Sequence, residues 1–168
     1  IEEDSFERII DHFDEKEQLN QALEAAEYGI EQYPWSAMLL LKKADLLIAL
    51  RHYKEALFTL DQAELLDSKD TNLYILKTDA YLALDMQQKA ADVLEAAIHD
   101  FDGEEKLDLL FELADVYDDY ENFEKVLKMK QKFSNSNHKI IADALHYVGC
   151  CYFKERDYNN ALKYLQES

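Results

Sequence analysis

Apolar residues recur along this chain at three- and four-residue spacing, interrupted at short intervals by turn-forming or polar residues. Phe6, Ile9, Ile10 and Phe13 form the first such run, and Ala22, Ala26 and Ile30 form the second. This is the period of a helix with one buried face. Pro34 closes the second run, because it has no N–H and disfavours helical geometry in Tyr33 before it. Leu40, Ala44 and Leu47 predict a third helix, and Tyr53, Ala56, Leu57, Leu60 and Ala63 a fourth. Tyr74, Thr78 and Tyr81, then Ala90, Leu94 and Ala97, predict another pair. Asp67-Ser68 and Asp70-Thr71 supply capping side chains between helices. Gly103 is expected to end a helix in a left-handed C-cap.

The helices come in pairs, and the pairs repeat. Small residues at Ala22, Ala56 and Ala90 are spaced by 34 residues, and Val126 and Ala161 continue the series after 36 and 35. A fixed period of this length marks a solenoid of helical hairpins, in which each unit buries its apolar face against the next. The repeats run over about 3–36, 37–70, 71–106, 107–141 and 142–168, four full copies and a partial fifth. Small residues have a physical role here: two helices 8–10 Å apart need Ala or Gly where they cross. Ala44, Ala56 and Ala63 occupy such crossings, with Leu47, Tyr53 and Leu60 around them.

The fourth copy departs from the rule. Leu110, Ala114 and Tyr117 fit its first helix and Phe123 its turn, but Val126, Lys130 and Phe133 put larger residues on its second. A local change of curvature is expected there, with Ser134–Asn137 as a looser joint. The expected architecture is all-α, a single domain over 1–168. Because the chain opens without Met and stops within a helical pattern, it is expected to be a piece of a longer protein.

Ala44, Leu47, Ala56, Leu60 and Ala63, and again Gly149, Tyr152, Tyr158, Ala161 and Leu165, resemble the tetratricopeptide repeat motif. The resemblance covers essentially the whole chain, although Pro appears only at Pro34 and the motif's Trp is absent from its first-helix site. It implies a right-handed α-α superhelix whose first helices line a concave groove. It also implies a module that binds peptides or partner proteins and is not an enzyme, with no cofactor. The subclass that grips acidic chaperone tails uses Lys and Asn at set groove places. Those places here hold Glu7 and Asp11 with Lys42, or Leu41 and Asp45 with Leu76 and Glu112, and Asp79 with Asp143. An acidic tail would be repelled.

Charge narrows the partner further. With 36 acidic and 18 basic residues, the formal charge is −18. The average field repels phosphate, which argues against a nucleic-acid partner. Acidity also serves plain solubility, but a basic protein or peptide is the natural complement. Cys150 and Cys151 are adjacent and without companions, so no disulfide framework or CxxC site exists, and a cytoplasmic location is expected. No apolar run approaches the roughly 18 residues of a membrane span, and no signal peptide opens the chain.

On the first helix of each repeat, places 4, 7, 8 and 11 predict the core face, while places 2, 5, 9 and 12 turn away from it. Place 9 reads Asp11, Asp45, Asp79 and Asp115, ending at Cys150. Ionised Asp accepts hydrogen bonds and pairs with Lys or Arg. Leu41, Ile48, Ile75, Leu82 and Phe111 lie between these acids, with His146 one turn from Cys150. The expected groove therefore binds a basic, partly apolar segment. A general preference for short polar residues at place 9 would also produce the aspartate column. Packing against the next helix would equally account for its apolar neighbours. A scaffold for self- or complex assembly, or a regulatory arm of a larger enzyme, are the alternative functions.

Other chemistry finds little support. Asp118 and Asp119 read as a solvated turn, and Asp100–Glu104 lacks the spacing of a calcium loop. The histidines show no zinc spacing, and no phosphate loop or nucleophile elbow occurs. His146 and Cys150 lack a recognisable oxyanion hole.

Overall fold

The computed structural model describes residues 2–116, 138–154 and 158–168. Tyr117, Asp118, Asp119, Phe123, Val126, Lys130, Phe133 and Ser134–Asn137 lie outside the described residues, as do the side chains of Tyr152 and Tyr158. The chain divides into two compact units, Ile1–Met86 and Gln87–Ser168. The described residues are helical, joined by turns, with no strand among them.

The first unit holds α1 (Glu3–Glu15), α2 (Leu19–Gln32), α3 (Ala37–Ala49), α4 (Tyr53–Leu66) and α5 (Thr71–Ala83). Each packs on the next, and α3 also touches α1 and α5. The second unit holds α6 (Gln87–Ile98), α7 (Gly103–Val116), α8 (His138–Lys154) and α9 (Tyr158–Glu167), with α6 on α7, α7 on α8 and α8 on α9.

The small residues lie in the helix seams. Ala22, Ala26, Ala44, Ala56, Ala63, Ala90 and Ala161 are buried. Between the first hairpin and α3, Phe6, Ile10, Ala22, Ala26, Leu39 and Leu46 make one cluster, sealed by Phe13, Leu23, Ile30 and Tyr33. Gly29 belongs to the same seam, for a Cβ there would come within 3.1 Å of the Phe6 ring and 3.2 Å of Leu39. Gly149 is tighter: a Cβ would lie 2.9 Å from the Leu165 side chain and 3.2 Å from its backbone nitrogen. Thr78, at the place Ala44 holds one repeat earlier, is buried with its hydroxyl donating to the Tyr74 carbonyl at 2.8 Å.

The buried stripe is broader than places 4, 7, 8 and 11. Leu39, Leu46, Leu73, Ala80, Leu109 and Val116, at places 3 and 10, are also buried. A first helix packs against its own partner and against the preceding hairpin, as α3 does with α4 and α2, so its apolar face must widen. Ile9, by contrast, sits at the edge of the α1 stripe and is 37% exposed.

Turns within hairpins share one geometry. Glu17, Arg51 and Asp85 have φ of 56°, 65° and 59°, again one repeat apart. Behind each, paired backbone bonds close the helix: Glu17 N–H to Asp14 O and Gln18 N–H to Phe13 O, Arg51 N–H to Ile48 O and His52 N–H to Leu47 O, Asp85 N–H to Leu82 O and Met86 N–H to Tyr81 O. This is the Schellman closure, usually built with Gly at the left-handed residue. The turns between hairpins use side chains instead. Ser36 caps α3 by accepting from Leu39 N–H at 3.1 Å and donates its own hydroxyl to Glu3, while Asp70 caps α5 by accepting from Asn72 N–H at 2.9 Å. Pro34 comes one residue after α2, separated from it by Tyr33, which is out of helical geometry at ψ 68°. Gly103 is left-handed, with φ 57°, but it stands at the start of α7 and not at the end of α6, which stops at Ile98. Phe101 is buried in the intervening link, so the chain folds back before the glycine.

Candidate functional site

A cleft of about 510 Å³ opens in the first unit, lined by α1, α3 from Ala37 to Asp45, the α4–α5 turn and the first half of α5. Leu41, Met38, Ile75 and Leu76 give it an apolar floor. Glu7, Asp45, Asp67 and Asp70 stand around that floor against a single cation, Lys42. The floor residues are half-buried. They are apolar at positions that the stacking of helices leaves partly open to solvent.

Local structure explains the acids. Asp67 Oδ1 accepts from Lys69 N–H at 2.8 Å and Asp70 Oδ1 from Asn72 N–H at 2.9 Å, so each uses one oxygen to shape the turn. Lys42 Nζ lies 2.5 Å from Asp11 Oδ1 and 3.8 Å from Glu7 Oε1, tying α3 to α1. Lys43 does the same toward α2, 3.2 Å from Glu27 Oε1. Asp45 reaches solvent yet lies along the cleft wall. Desolvation pushes its carboxyl above the usual carboxylate range, Asp14 adds to the rise, and Lys42 opposes it.

Of the residues expected along the groove, Leu41, Asp45 and Ile75 line this cleft. Asp11 is half-buried and committed to Lys42. Asp79 is exposed and has an interaction of its own, while Ile48 and Leu82 are half-buried and outside the lining. In the second unit, Asp115 is exposed and Phe111 half-buried, both with partners. His146 Nε2 and Cys150 Sγ are 3.8 Å apart on the accessible side of α8, with the His146 ring edge-on to Tyr147 at 5.5 Å.

Glu7 and Met38 stand at places 5 and 2 of the expected groove face and Leu76 beside it, whereas Asp67 and Asp70 belong to the cleft but not to that face. The two turn aspartates carry a capping signal in the sequence, and capping is the whole role it predicts for them. Nothing in their spacing shows that the α4–α5 turn borders the α3 face.

Comparison with solved structures bears on the fold. MamA from Desulfovibrio magneticus superposes with a TM-score of 0.59 at 16% identity, covering 98% of this chain and 92% of its own. The TPR2B domain of yeast Sti1, solved in complex with an Hsp70 peptide, gives 0.56 at 18% identity over 77% of this chain and 96% of that one. YrrB, a TPR protein with an unusual peptide-binding site, gives 0.54 at 18% identity over 94% and 80%.

The fold is of the tetratricopeptide-repeat type. No family model and no curated protein sequence matches the chain. The likeness therefore lives in the helical hairpins and their seams, which many sequences can build. Together α3 and α5 present a half-buried apolar strip, Met38 and Leu41 on one and Ile75 and Leu76 on the other. No described helix is long and apolar enough to cross a membrane.

Proposed function

We propose that this chain is a non-catalytic protein-interaction module whose first unit binds a basic, partly apolar segment. The observation that carries this reading is the cleft itself: an apolar floor of Leu41, Ile75 and Leu76 bordered by Glu7, Asp45, Asp67 and Asp70. A Lys or Arg entering it meets several carboxylates in a partly desolvated space, where charge-assisted hydrogen bonds are stronger than in water. An apolar neighbour in the same segment covers the floor. The peptide-binding relatives in fold support the general role, and the charge of the cleft supports the choice of ligand.

The test is fluorescence anisotropy with a peptide alternating Lys or Arg with Leu, against a control with Glu at the basic positions. Binding of the basic peptide alone is expected, weakened roughly tenfold by Asp45→Asn, the loss of one partly buried charge contact. Affinity should fall as pH drops through the raised Asp45 range, since protonation removes the acceptor charge. Equal binding of both peptides, unaffected by Asp45→Asn, would remove the groove from this role.

A further inference from the structure

The turn between α3 and α4, Arg51-His52-Tyr53-Lys54, is unexplained by packing alone. Arg51, His52 and Lys54 are exposed, and they frame a shallow depression of about 380 Å³ with Tyr53, Glu55 and Leu84. Neither Arg51 nor Lys54 makes an ion pair with a described residue, whereas Lys42, Lys43 and Lys77 on the adjoining helices are all paired. In a chain with two acids for every base, this is a cationic tip with an aromatic beside it. The left-handed Arg51 reverses the chain there, so the residues stand at the end of the α3–α4 hairpin.

Position matters as much as charge. The acidic cleft runs along α3 from Ala37 to Asp45, with the α4–α5 turn and the start of α5. The cationic tip lies beyond the last turn of α3, a helix of 13 residues. At 1.5 Å per residue, Arg51 lies about 20 Å along the hairpin from Ala37 at the far end of the cleft and about 9 Å from Asp45 at its near end. Among the described residues, no ion pair joins the tip to its own cleft. The tip can reach the cleft of another copy.

We propose that the tip Arg51-His52-Tyr53-Lys54 of one copy occupies the acidic cleft of a second copy. The contact is head-to-tail: two different surfaces meet, so a pair leaves one cleft and one tip free, and association continues into an open chain or a closed ring. The occupant has the chemistry the cleft asks for, two cations flanking a Tyr. Net charge opposes the approach of two such acidic chains, but at about 0.15 M salt the Debye length is about 8 Å, so groups in contact decide the outcome. The inference rests on the cleft reading given above and names a partner for it.

The experiment is sedimentation velocity of the 168-residue chain over a range of concentrations at about 0.15 M salt. The wild type should show a concentration-dependent series of species. Arg51→Glu/Lys54→Glu destroys the tip and keeps the cleft; Asp45→Lys damages the cleft and keeps the tip. Each variant alone should weaken association by at least about tenfold. Their equimolar mixture should recover a pair and stop there, because the only good tip meets the only good cleft once. A wild type that stays monomeric while binding the basic peptide overturns the second-copy proposal and leaves the cleft reading standing. Association of the tip variant at wild-type strength also overturns it. Failure of both peptide binding and association removes both. Circular dichroism of each variant distinguishes a lost contact from a lost fold.

Discussion

Two columns of residues run along the repeats and meet different fates. The seam column, Ala22, Ala56, Ala90 and Ala161, is buried at every described copy. The aspartate column, Asp11, Asp45, Asp79 and Asp115, keeps its register but not its chemistry. Asp11 is tied to Lys42, Asp45 stands in the cleft with a raised pKa, and Asp79 and Asp115 have other interactions. A seam is defined by helix crossing, which the repeat reproduces each time. A solvent-facing residue takes its properties from whatever stands opposite, and that changes with every copy.

Breaking the seam should have the largest effect. Ala56→Leu overpacks a fully buried crossing and should destabilise the fold by roughly 1–3 kcal/mol in urea denaturation. Gly149→Ala should act in the same direction, because its Cβ meets the Leu165 backbone as well as its side chain. A midpoint unchanged by either would mean the seams are looser than the burial implies.

A buried lysine paired with more exposed carboxylates sits between the two extremes. Lys77 is 7% exposed, with its Nζ 2.8 Å from Asp61 and 2.5 Å from Glu64. Desolvation pulls its pKa down, but the hydrogen bonds and charges of Asp61 and Glu64 outweigh it, leaving the value raised. Because the folded value exceeds the unfolded one, this contribution is complete below the unfolded lysine range and disappears as pH rises through the folded value. Lys77→Ala removes the ammonium and a buried aliphatic stem, and should lose about 1–2 kcal/mol at neutral pH. The difference from wild type should shrink in strongly alkaline buffer.

The smallest stability effect belongs to the aspartate column. Asp45→Asn should change stability at neutral pH by no more than about 0.5 kcal/mol, because the side chain reaches solvent. Its sign is informative. A carboxyl raised in the fold is harder to ionise there than in the unfolded chain, so ionisation subtracts stability as pH rises from the unfolded value through the folded one. The Asn variant escapes this, and should gain on wild type as pH climbs from the ordinary Asp range toward neutrality. A constant difference across that range would separate Asp45 from the desolvated environment assigned to it.

Helix boundaries, pairing and the seam residues are legible in the chain because they depend on local period and on residue size. Ala56 or Ala90 can be picked out by counting, and Asp70 as a cap by its place before an apolar run. The three left-handed turns are harder, since Glu17, Arg51 and Asp85 are not the glycines that usually mark such geometry. Places 3 and 10 escape the pattern because a one-partner helix would leave them at the margin of its stripe, while stacked hairpins cover both sides.

The aspartate column is visible in the sequence, but its function is not. By itself the sequence determined an all-α repeat with small residues at its crossings and an excess of acidic charge, because periodicity and composition act through neighbours in the chain. Tertiary structure alone decided that Asp67 and Asp70 join Asp45 over Leu41 and Ile75, and that Lys42 silences Asp11. Those relations hold across repeats, and a cleft is made of distances that no single period records.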